Sequence, residues 1–283
     1  MENENRLVLA RLYVYPVKSC RGVALEESCL DAYGLAHDRE WMLVDPDGRF
    51  LTQREHPRMA RIAPALTDEG LELRAPGISP LVLLRDRSDR GLRKVRIWGD
   101  EVWAVDEGDE AAGWLSAALG IPCRLVRRDP EFMRRVPASY AISSEDRVGF
   151  ADGFPLLLIS QASLDDLNAR LPRPVGMERF RPNLVIAGCD PYEEDIWKVL
   201  RINEITLHAV KPCSRCTIPT VDPGTGERDP RGEPLRTLTR YRRGADGKVY
   251  LGQNLVHEPK EGRLRVGDRV RVSVLDPRSG RAE

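Results

Sequence analysis

Short apolar runs that alternate with polar residues dominate the first hundred residues of the chain, and turns separate them. Residues 7–15 form one run, which stops at Pro16. Residues 94–98 and 101–105 form two more, on either side of Gly99 and Asp100. Apolar residues at every second position are typical of strands with one buried face, and glycine favours the tight turn of a hairpin. The pattern therefore predicts a mostly antiparallel N-terminal region.

Helical segments are fewer. Residues 109–119 begin with acidic residues and end before Gly120, the usual arrangement at the two ends of a helix. A second predicted helix is capped by Ser160 or Ser163 and ends before Pro172. The remaining predicted elements are buried strands at residues 154–159 and 184–187, an alternating strand at 205–209, and a hairpin of 264–266 with 270–274. We predict a mainly β protein with a few helices, of the α+β class.

The length of the chain predicts two units. Its 283 residues are about twice the usual domain length of ~150. A proline- and arginine-rich stretch at residues 127–148 separates two β-rich halves. We therefore predict an N-terminal β-barrel-like domain at residues 1–125, packed on a second β-barrel domain at 126–278. Residues 279–283 are polar enough to predict a disordered tail.

Composition excludes several classes of protein. Lys and Arg total 44 against 44 Asp and Glu, so the chain lacks the basic field typical of proteins that bind nucleic acid or anionic membranes. No window approaches the ~20 apolar residues of a membrane span. The first residues are acidic where a signal peptide needs basic ones. We expect a cytoplasmic protein with reduced thiols that binds neither nucleic acid nor membrane.

Cys213 and Cys216 form the sharpest local motif, a CxxC pair that runs into a Thr-Ile-Pro segment. A zinc site needs a second pair of thiolates or imidazoles, and the other cysteines and the histidines are all isolated. A thioredoxin-like site needs a helix, which the prolines disfavour. Two buried thiols in a core are a third interpretation. The neighbouring Lys211 and Arg215 favour a fourth, a thiolate that acts as a metal ligand or a nucleophile.

Other polar residues follow or precede predicted strands. Lys18 and Ser19 come after a strand end, where they form either an ordinary turn or an anion cradle of charge, hydroxyl and backbone N–H groups. Arg39 offers a further cation, or a surface ion pair. Arg181 and Asn183 lie directly before a buried strand. The chain has no Gly-x-Gly-x-x-Gly, Walker loop, His-Glu-x-x-His or Gly-x-Ser-x-Gly motif, so its chemistry depends on the cysteines.

Taken together, these motifs resemble a known family. They are, in order, Tyr15-Pro16-Val17-Lys18-Ser19, Phe180-Arg181-Pro182-Asn183, and Cys213-Ser214-Arg215-Cys216 followed by Thr220-Val221-Asp222-Pro223. The sequence resembles the MOSC proteins that carry an N-terminal MOSC β-barrel domain, and within them the molybdenum-cofactor reductases of the amidoxime-reducing-component type. The resemblance implies a mainly β fold in which a molybdopterin-type cofactor lies between two units.

The same resemblance implies roles for particular residues. It places the metal ligand at Cys216, and it makes Cys216 and Asp152 the catalytic pair in the metal pocket. It assigns cofactor binding to Lys18, Ser19 and Arg39 at the phosphate, to Arg181 and Asn183 at the pterin, and to Ser214 and Arg215. Cys213 is then expected to be a buried packing residue. A soft thiolate suits molybdenum, and cations with a hydroxyl suit a phosphate.

The activity that the resemblance implies is the reduction of small N-hydroxylated compounds such as hydroxylamines, amidoximes or N-hydroxylated bases. No cysteine follows Cys216, so we expect electrons from a separate protein, either a flavin reductase or a ferredoxin-like or cytochrome b5-like carrier. Two alternatives stay open: a persulfide carrier of the molybdenum-cofactor sulfurase type, and a carrier of the cofactor without turnover. Pyridoxal phosphate, which the sulfurases use, has no site that we recognise in this sequence.

Overall fold

Strands dominate the computed structural model, which describes residues 7–85 and 90–274. The strands are β1 Val8–Val14, β2 Val23–Leu25, β3 Glu27–Asp31, β4 Gly34–Leu35, β5 Trp41–Val44, β6 Ala63–Leu66, β7 Gly70–Ala75, β8 Ile78–Leu84, β9 Leu92–Ile97, β10 Asp100–Asp106, β11 Arg124–Arg128, β12 Leu156–Ser160, β13 Leu184–Ala187, β14 Val199–Ile202, β15 Ile205–Ser214, β16 Tyr250–Glu258, β17 Gly262–Arg265 and β18 Val270–Ser273. The predicted tail at residues 279–283 lies outside the described residues. The mainly β, α+β prediction is confirmed.

The α-helices are α1 Asp109–Leu119, α2 Gln161–Arg170 and α3 Leu235–Thr239. The bounds of α1 and α2 are as predicted. Gly120 ends α1 in the left-handed conformation, with φ of 75°. The Ser160 hydroxyl caps α2 by accepting a hydrogen bond from the Ser163 backbone N–H at 3.1 Å. The five-residue α3 was not predicted, because it is too short to show a period. No helix within the described residues is long and apolar enough to cross a membrane.

An eight-stranded sheet organises the molecule, in the order β18-β14-β15-β16-β12-β13-β1-β2. Its parallel pair, β12 and β13, is connected through α2, and β1 pairs with β13 in the antiparallel sense. The first strand of the chain therefore lies in one sheet with strands of the C-terminal half. The predicted boundary between residues 125 and 126 lies within β11, and the division into two domains stays a prediction.

Three smaller sheets complete the fold: β5-β11-β10-β9, β17-β3-β4 and β6-β7-β8. The predicted hairpin of β9 and β10 is confirmed, but Ile97 pairs with Asp100, so Trp98 and Gly99 form the turn. The turn therefore lies one residue earlier than predicted.

The predicted C-terminal hairpin is wrong. β17 pairs with β3, and β18 pairs with β14. The intervening turn bonds to the first strand instead, since Gly267 N–H donates to the Leu9 carbonyl and Leu9 N–H donates to the Asp268 carbonyl, at 2.8 and 2.9 Å. Two strands with alternating apolar residues and a short turn between them predict a hairpin. Here each strand instead pairs with a strand that is remote in sequence, β17 with β3 and β18 with β14.

Residues 15–20 connect two hydrophobic cores. Val14 packs in the core of the large sheet, with Leu12 and Leu207. Val17 and Cys20 pack in a second core, beside α1 and β5. The segment between these anchors is consequently held from both sides, and it carries the polar residues of the predicted site.

Candidate active site

One cleft brings together all nine residues that the resemblance assigns to the site. Its lining includes Lys18, Ser19, Arg39, Asp152, Arg181, Asn183, Ser214, Arg215 and Cys216. They come from the loop after β1, the segments before β5, β12 and β13, and the end of β15. The cleft has a volume of about 140 Å³ and is open to solvent. The convergence is a matter of geometry, whereas the roles of the residues stay predictions.

Two arginines lie against one buried tyrosine at one end of the cleft. The guanidinium carbons of Arg39 and Arg181 lie 4.4 and 4.2 Å from the centre of the Tyr15 ring. Arg39 pairs with the buried carboxylate of Asp38 at 2.5 Å, and the same carboxylate accepts a hydrogen bond from Tyr15 N–H. Arg181 forms no ion pair with any described residue and donates only to the Cys20 carbonyl, at 2.5 Å. We call Tyr15, Arg39 and Arg181 the Tyr15 side.

Positive charge on the Tyr15 side exceeds its negative charge. Burial and the like charge of Arg39 lower the pKa of Arg181 to about 10. Burial also raises the pKa of the Tyr15 hydroxyl well above its usual range, so the ring stays neutral, and no described residue bonds that hydroxyl. A half-buried guanidinium without a bonded carboxylate is costly, and a bound anion would relieve that cost.

Backbone geometry shapes this end of the cleft. A Cβ atom at Gly22 would lie 2.5 Å from Cε1 of Tyr15, so only glycine leaves room for the buried ring. Ser19, Arg39 and Arg181 all have φ in the left-handed region, at 64°, 45° and 59°. Non-glycine residues rarely adopt this conformation, and they concentrate at functional sites.

A carboxylate between two cations forms the other end of the cleft. The buried ammonium of Lys18 donates to the Phe150 carbonyl at 2.8 Å and to Asp152 Oδ1 at 2.6 Å. Arg54 Nη2 donates to Asp152 Oδ2 at 2.8 Å. The Asp152 side chain is 56% exposed, and its exposed surface lines the cleft. We call Lys18, Arg54 and Asp152 the Asp152 side.

The charges of the Asp152 side influence one another. Burial lowers the pKa of Lys18 to about 8, although Asp152 opposes the shift. Burial would raise the pKa of Asp152, but Lys18 and Arg54 outweigh it and hold this pKa well below its usual range. Asp152 therefore stays ionised at neutral pH and can accept hydrogen bonds but not donate them.

The sulfur atoms lie where β15 ends. The ladder between β15 and β16 shifts register twice, the second time between Pro212 and Ser214, and such bulges redirect side chains at functional sites. Cys216 follows the strand, is half-buried and lines the cleft. A single 3-10 turn at Ile218–Thr220 comes next, and no α-helix begins at the CxxC pair.

Cys213 is not the buried packing residue that we expected. It is half-buried, and its sulfur accepts a hydrogen bond from Arg215 Nη1 at 3.1 Å. The register shift turns this residue out of the core. Arg215 Nη2 donates to the Phe180 carbonyl at 2.6 Å, and its Nε is buried without a partner among the described residues.

Two residues make contacts at the candidate site that the motifs do not indicate. Asn183 is buried and positions others: its Oδ1 accepts hydrogen bonds from Leu157 N–H and from Arg39 Nη1, at 3.1 and 3.2 Å. Arg54 was missed by the sequence analysis, yet it contacts Asp152 and interacts electrostatically with the Cys216 thiol. No motif surrounds Arg54, and we find no local signal in the sequence that marks it.

Comparison with known proteins identifies the family. The MOSC N-terminal beta barrel domain matches residues 6–122, and the MOSC domain matches residues 145–271. The chain belongs to this family of two-part MOSC proteins. It is 38% identical over 277 residues to mitochondrial amidoxime-reducing component 1 of Mus musculus. This alignment covers 93% of the present chain and 81% of the relative. The Homo sapiens protein of the same name is equally similar, with 82% of its length covered.

A second type of relative gives the same result. Mitochondrial amidoxime reducing component 2 of Rattus norvegicus is 38% identical over 278 residues, covering 93% of this MOSC protein and 82% of the relative. The resemblance predicted from the sequence is confirmed. The match extends across both ends of the cleft, because it includes nearly the whole chain.

Proposed function

We propose that this MOSC protein is an oxidoreductase that binds the molybdenum cofactor in the cleft and reduces small N-hydroxylated compounds. The observation that carries the proposal is the convergence of four basic side chains and the half-buried Cys216 thiol in one cleft. Cationic donors and a soft ligand are what a phosphate-bearing metal cofactor requires. The names of the relatives, amidoxime-reducing components, support the substrate class.

The residues present fit such a cofactor. Of the described residues that line the cleft, four are basic and one is acidic. Lys18 uses two of its three ammonium donors on Phe150 and Asp152, which leaves one for a ligand. The buried Nε of Arg215 is a further donor without a partner among the described residues. We assign the phosphate to Lys18, Ser19 and Arg39.

The remaining contacts divide between the pterin and the metal. We assign the pterin to Arg181, Asn183, Ser214 and Arg215, and the metal to the Cys216 thiolate. When bound, the cofactor supplies the two-electron redox change that the reaction needs. Reduction of an N-hydroxyl group consumes two electrons and two protons, breaks the N–O bond and releases water.

Asp152 is the residue that we assign to the substrate. Its ionised carboxylate accepts a hydrogen bond from the N–OH group, while Lys18 and Arg54 hold it in place. Because its pKa is held low, Asp152 orients the substrate and does not itself supply the protons. We further propose that a separate protein delivers the electrons and that the protein is cytoplasmic.

The experiment is to purify the protein from a host that makes the cofactor, and to measure molybdenum, extracted pterin and the reduction of hydroxylamine with a reduced viologen dye. We expect equimolar molybdenum and pterin, and turnover. A persulfide on Cys216 without molybdenum would instead indicate a sulfur carrier. Bound cofactor without turnover on any N-hydroxylated substrate would indicate a cofactor carrier.

A further inference from the structure

Two aromatic residues and one arginine form a wall next to the Asp152 side. Trp98 lies at the tip of the β9–β10 hairpin, and 46% of its surface is exposed. The centre of its ring lies 4.9 Å from the centre of the Phe50 ring. The Arg54 guanidinium carbon lies 4.9 Å from the centre of the same indole ring. We call Phe50, Arg54 and Trp98 the aromatic wall.

The aromatic wall is continuous with the candidate active site. Arg54 belongs to both, because it stacks on Trp98 and donates to Asp152. The Lys18 ammonium lies 5.4 Å from the centre of the Phe50 ring. A cavity of about 510 Å³ lies against the wall, and Arg54, which lines this cavity, donates a hydrogen bond to Asp152 of the cleft. Cavities of ~300 to 1,000 Å³ are the usual size for small-molecule sites.

The backbone conformation of Trp98 indicates a role in contacting a ligand rather than in packing the core. Its φ of 53° lies in the left-handed region, where a bulky residue is strained. Glycine is the residue that such a turn position favours, and Gly99 follows immediately. A strained, half-exposed indole at a cavity next to a reactive centre presents a flat apolar face to a ligand.

We propose that the aromatic wall selects the substrate by stacking planar aromatic N-hydroxylated compounds on Trp98. The N-hydroxyl group then lies towards Asp152 and Cys216. This inference rests on the proposed reductase function and adds a specificity-determining residue to it. Small aliphatic substrates gain nothing from the wall, whereas aromatic ones gain a stacking contact, which corresponds to about tenfold in kcat/KM.

The test compares three variants of the cofactor-loaded protein with two substrates, benzamidoxime and hydroxylamine, under a dye donor. Trp98→Ala should lower the ratio of kcat/KM for benzamidoxime over hydroxylamine about tenfold. Trp98→Phe should restore most of that ratio, because a benzene ring also stacks. Trp103→Ala is the matched control, since Trp103 is 57% exposed on the same hairpin and lines neither cavity. It should leave the ratio unchanged.

Several results would overturn the inference. An equal loss for both substrates in Trp98→Ala would show that the wall does not discriminate between them. An unchanged ratio with the dye, together with slower electron transfer from a protein donor, would make the wall a protein-docking surface. If the wild type reduces neither substrate, the proposed function fails first. Equilibrium binding of benzamidoxime then decides: weaker binding in Trp98→Ala supports the wall, and equal binding contradicts it.

Discussion

The two ends of the cleft each have two cations and one carboxylate, but they arrange these charges differently. On the Tyr15 side, two guanidinium groups share one aromatic ring, and Asp38 is bonded to only one of them. On the Asp152 side, both cations bond a single carboxylate directly. The Tyr15 side therefore leaves the Arg181 guanidinium without a carboxylate partner, where an anionic group can bind. On the Asp152 side the carboxylate is held between its two cations, and its exposed part can accept a hydrogen bond from an uncharged N-hydroxyl group.

This difference predicts that substitutions at the two ends change different quantities, cofactor binding at one end and the reaction rate at the other. Substitutions on the Tyr15 side should affect how tightly the cofactor is held. Substitution of Asp152 should affect the rate of the reaction in molecules that still hold the cofactor, whereas Lys18, which we also assign to the phosphate, should contribute to binding as well. The following predictions test that separation.

The largest expected effect is on turnover, in Asp152→Asn. The amide keeps the shape but loses the charge that orients the substrate and holds Lys18 and Arg54, so kcat should fall about 100-fold. Pterin content per protein should stay unchanged. Asp166→Asn is a matched control, because Asp166 also pairs with an arginine, Arg170, at 2.8 Å and does not line the cleft. Loss of pterin with normal kcat per loaded molecule would reverse the assignment of the two ends.

Arg181→Gln should weaken cofactor retention about 30-fold, because one charge-assisted contact to the ligand is lost. The fraction of protein that retains extractable pterin after dialysis measures the effect. Arg179→Gln is the control, since Arg179 is similarly buried but pairs with Asp222 at 2.6 Å. If both variants retain the same amount of pterin, the unpaired cation has no special role.

Gly22→Ala tests the packing beneath the Tyr15 side. The added Cβ would displace the Tyr15 ring, and overpacking of this kind costs about 1 to 3 kcal/mol in the free energy of unfolding. Pterin retention should fall as well, because the guanidinium groups of Arg39 and Arg181 both pack against that ring. Gly99→Ala has nothing within 4 Å of the new Cβ and should change neither quantity. Chemical denaturation and pterin assay of both variants decide the outcome.

The smallest expected effect is on the pH dependence of sulfate affinity, which should come from Lys18 at one end of the cleft and not from Arg181 at the other. Lys18, with a pKa of about 8, is charged below that pH and loses its proton above it, while Arg181, at about 10, stays charged. Sulfate keeps the same charge between pH 7 and 9, whereas Lys18 loses its charge over that range. The affinity of sulfate for the cofactor-free protein should therefore fall about threefold between pH 7 and 9. Lys18→Met should remove this dependence, and Arg181→Gln should keep it. Calorimetric titration that finds a pH-independent affinity in the wild type would contradict the prediction.

Much of the fold follows from local patterns. The bounds of α1 and α2 and the β9–β10 hairpin could be predicted because caps, turns and alternation lie within a few residues of one another. The true partners of the two C-terminal strands could not be predicted. The turn between these strands forms hydrogen bonds with Leu9, more than 250 positions away in the sequence. Partner choice over such distances depends on burial, which a local pattern does not contain.

The candidate site divides in the same way. Residues in motifs, such as Lys18 and Cys216, were found because the motifs carry the family resemblance. Arg54 and Trp98 were missed because each is an ordinary residue near a turn, and only the fold brings Arg54 into contact with both Asp152 and Trp98. Cys213 was placed wrongly because a register shift in β15 cannot be read from the CxxC spacing.

The central claim is that the cleft holds molybdenum through Cys216. X-ray absorption at the molybdenum edge, on wild type, Cys216→Ser and Cys213→Ser from one cofactor-competent host, tests it most directly. Because the pterin dithiolene also supplies sulfur, we predict one more sulfur ligand in the wild type and in Cys213→Ser than in Cys216→Ser, which should also fail to reduce N-hydroxylated substrates. Identical sulfur coordination and full activity in Cys216→Ser would contradict the claim.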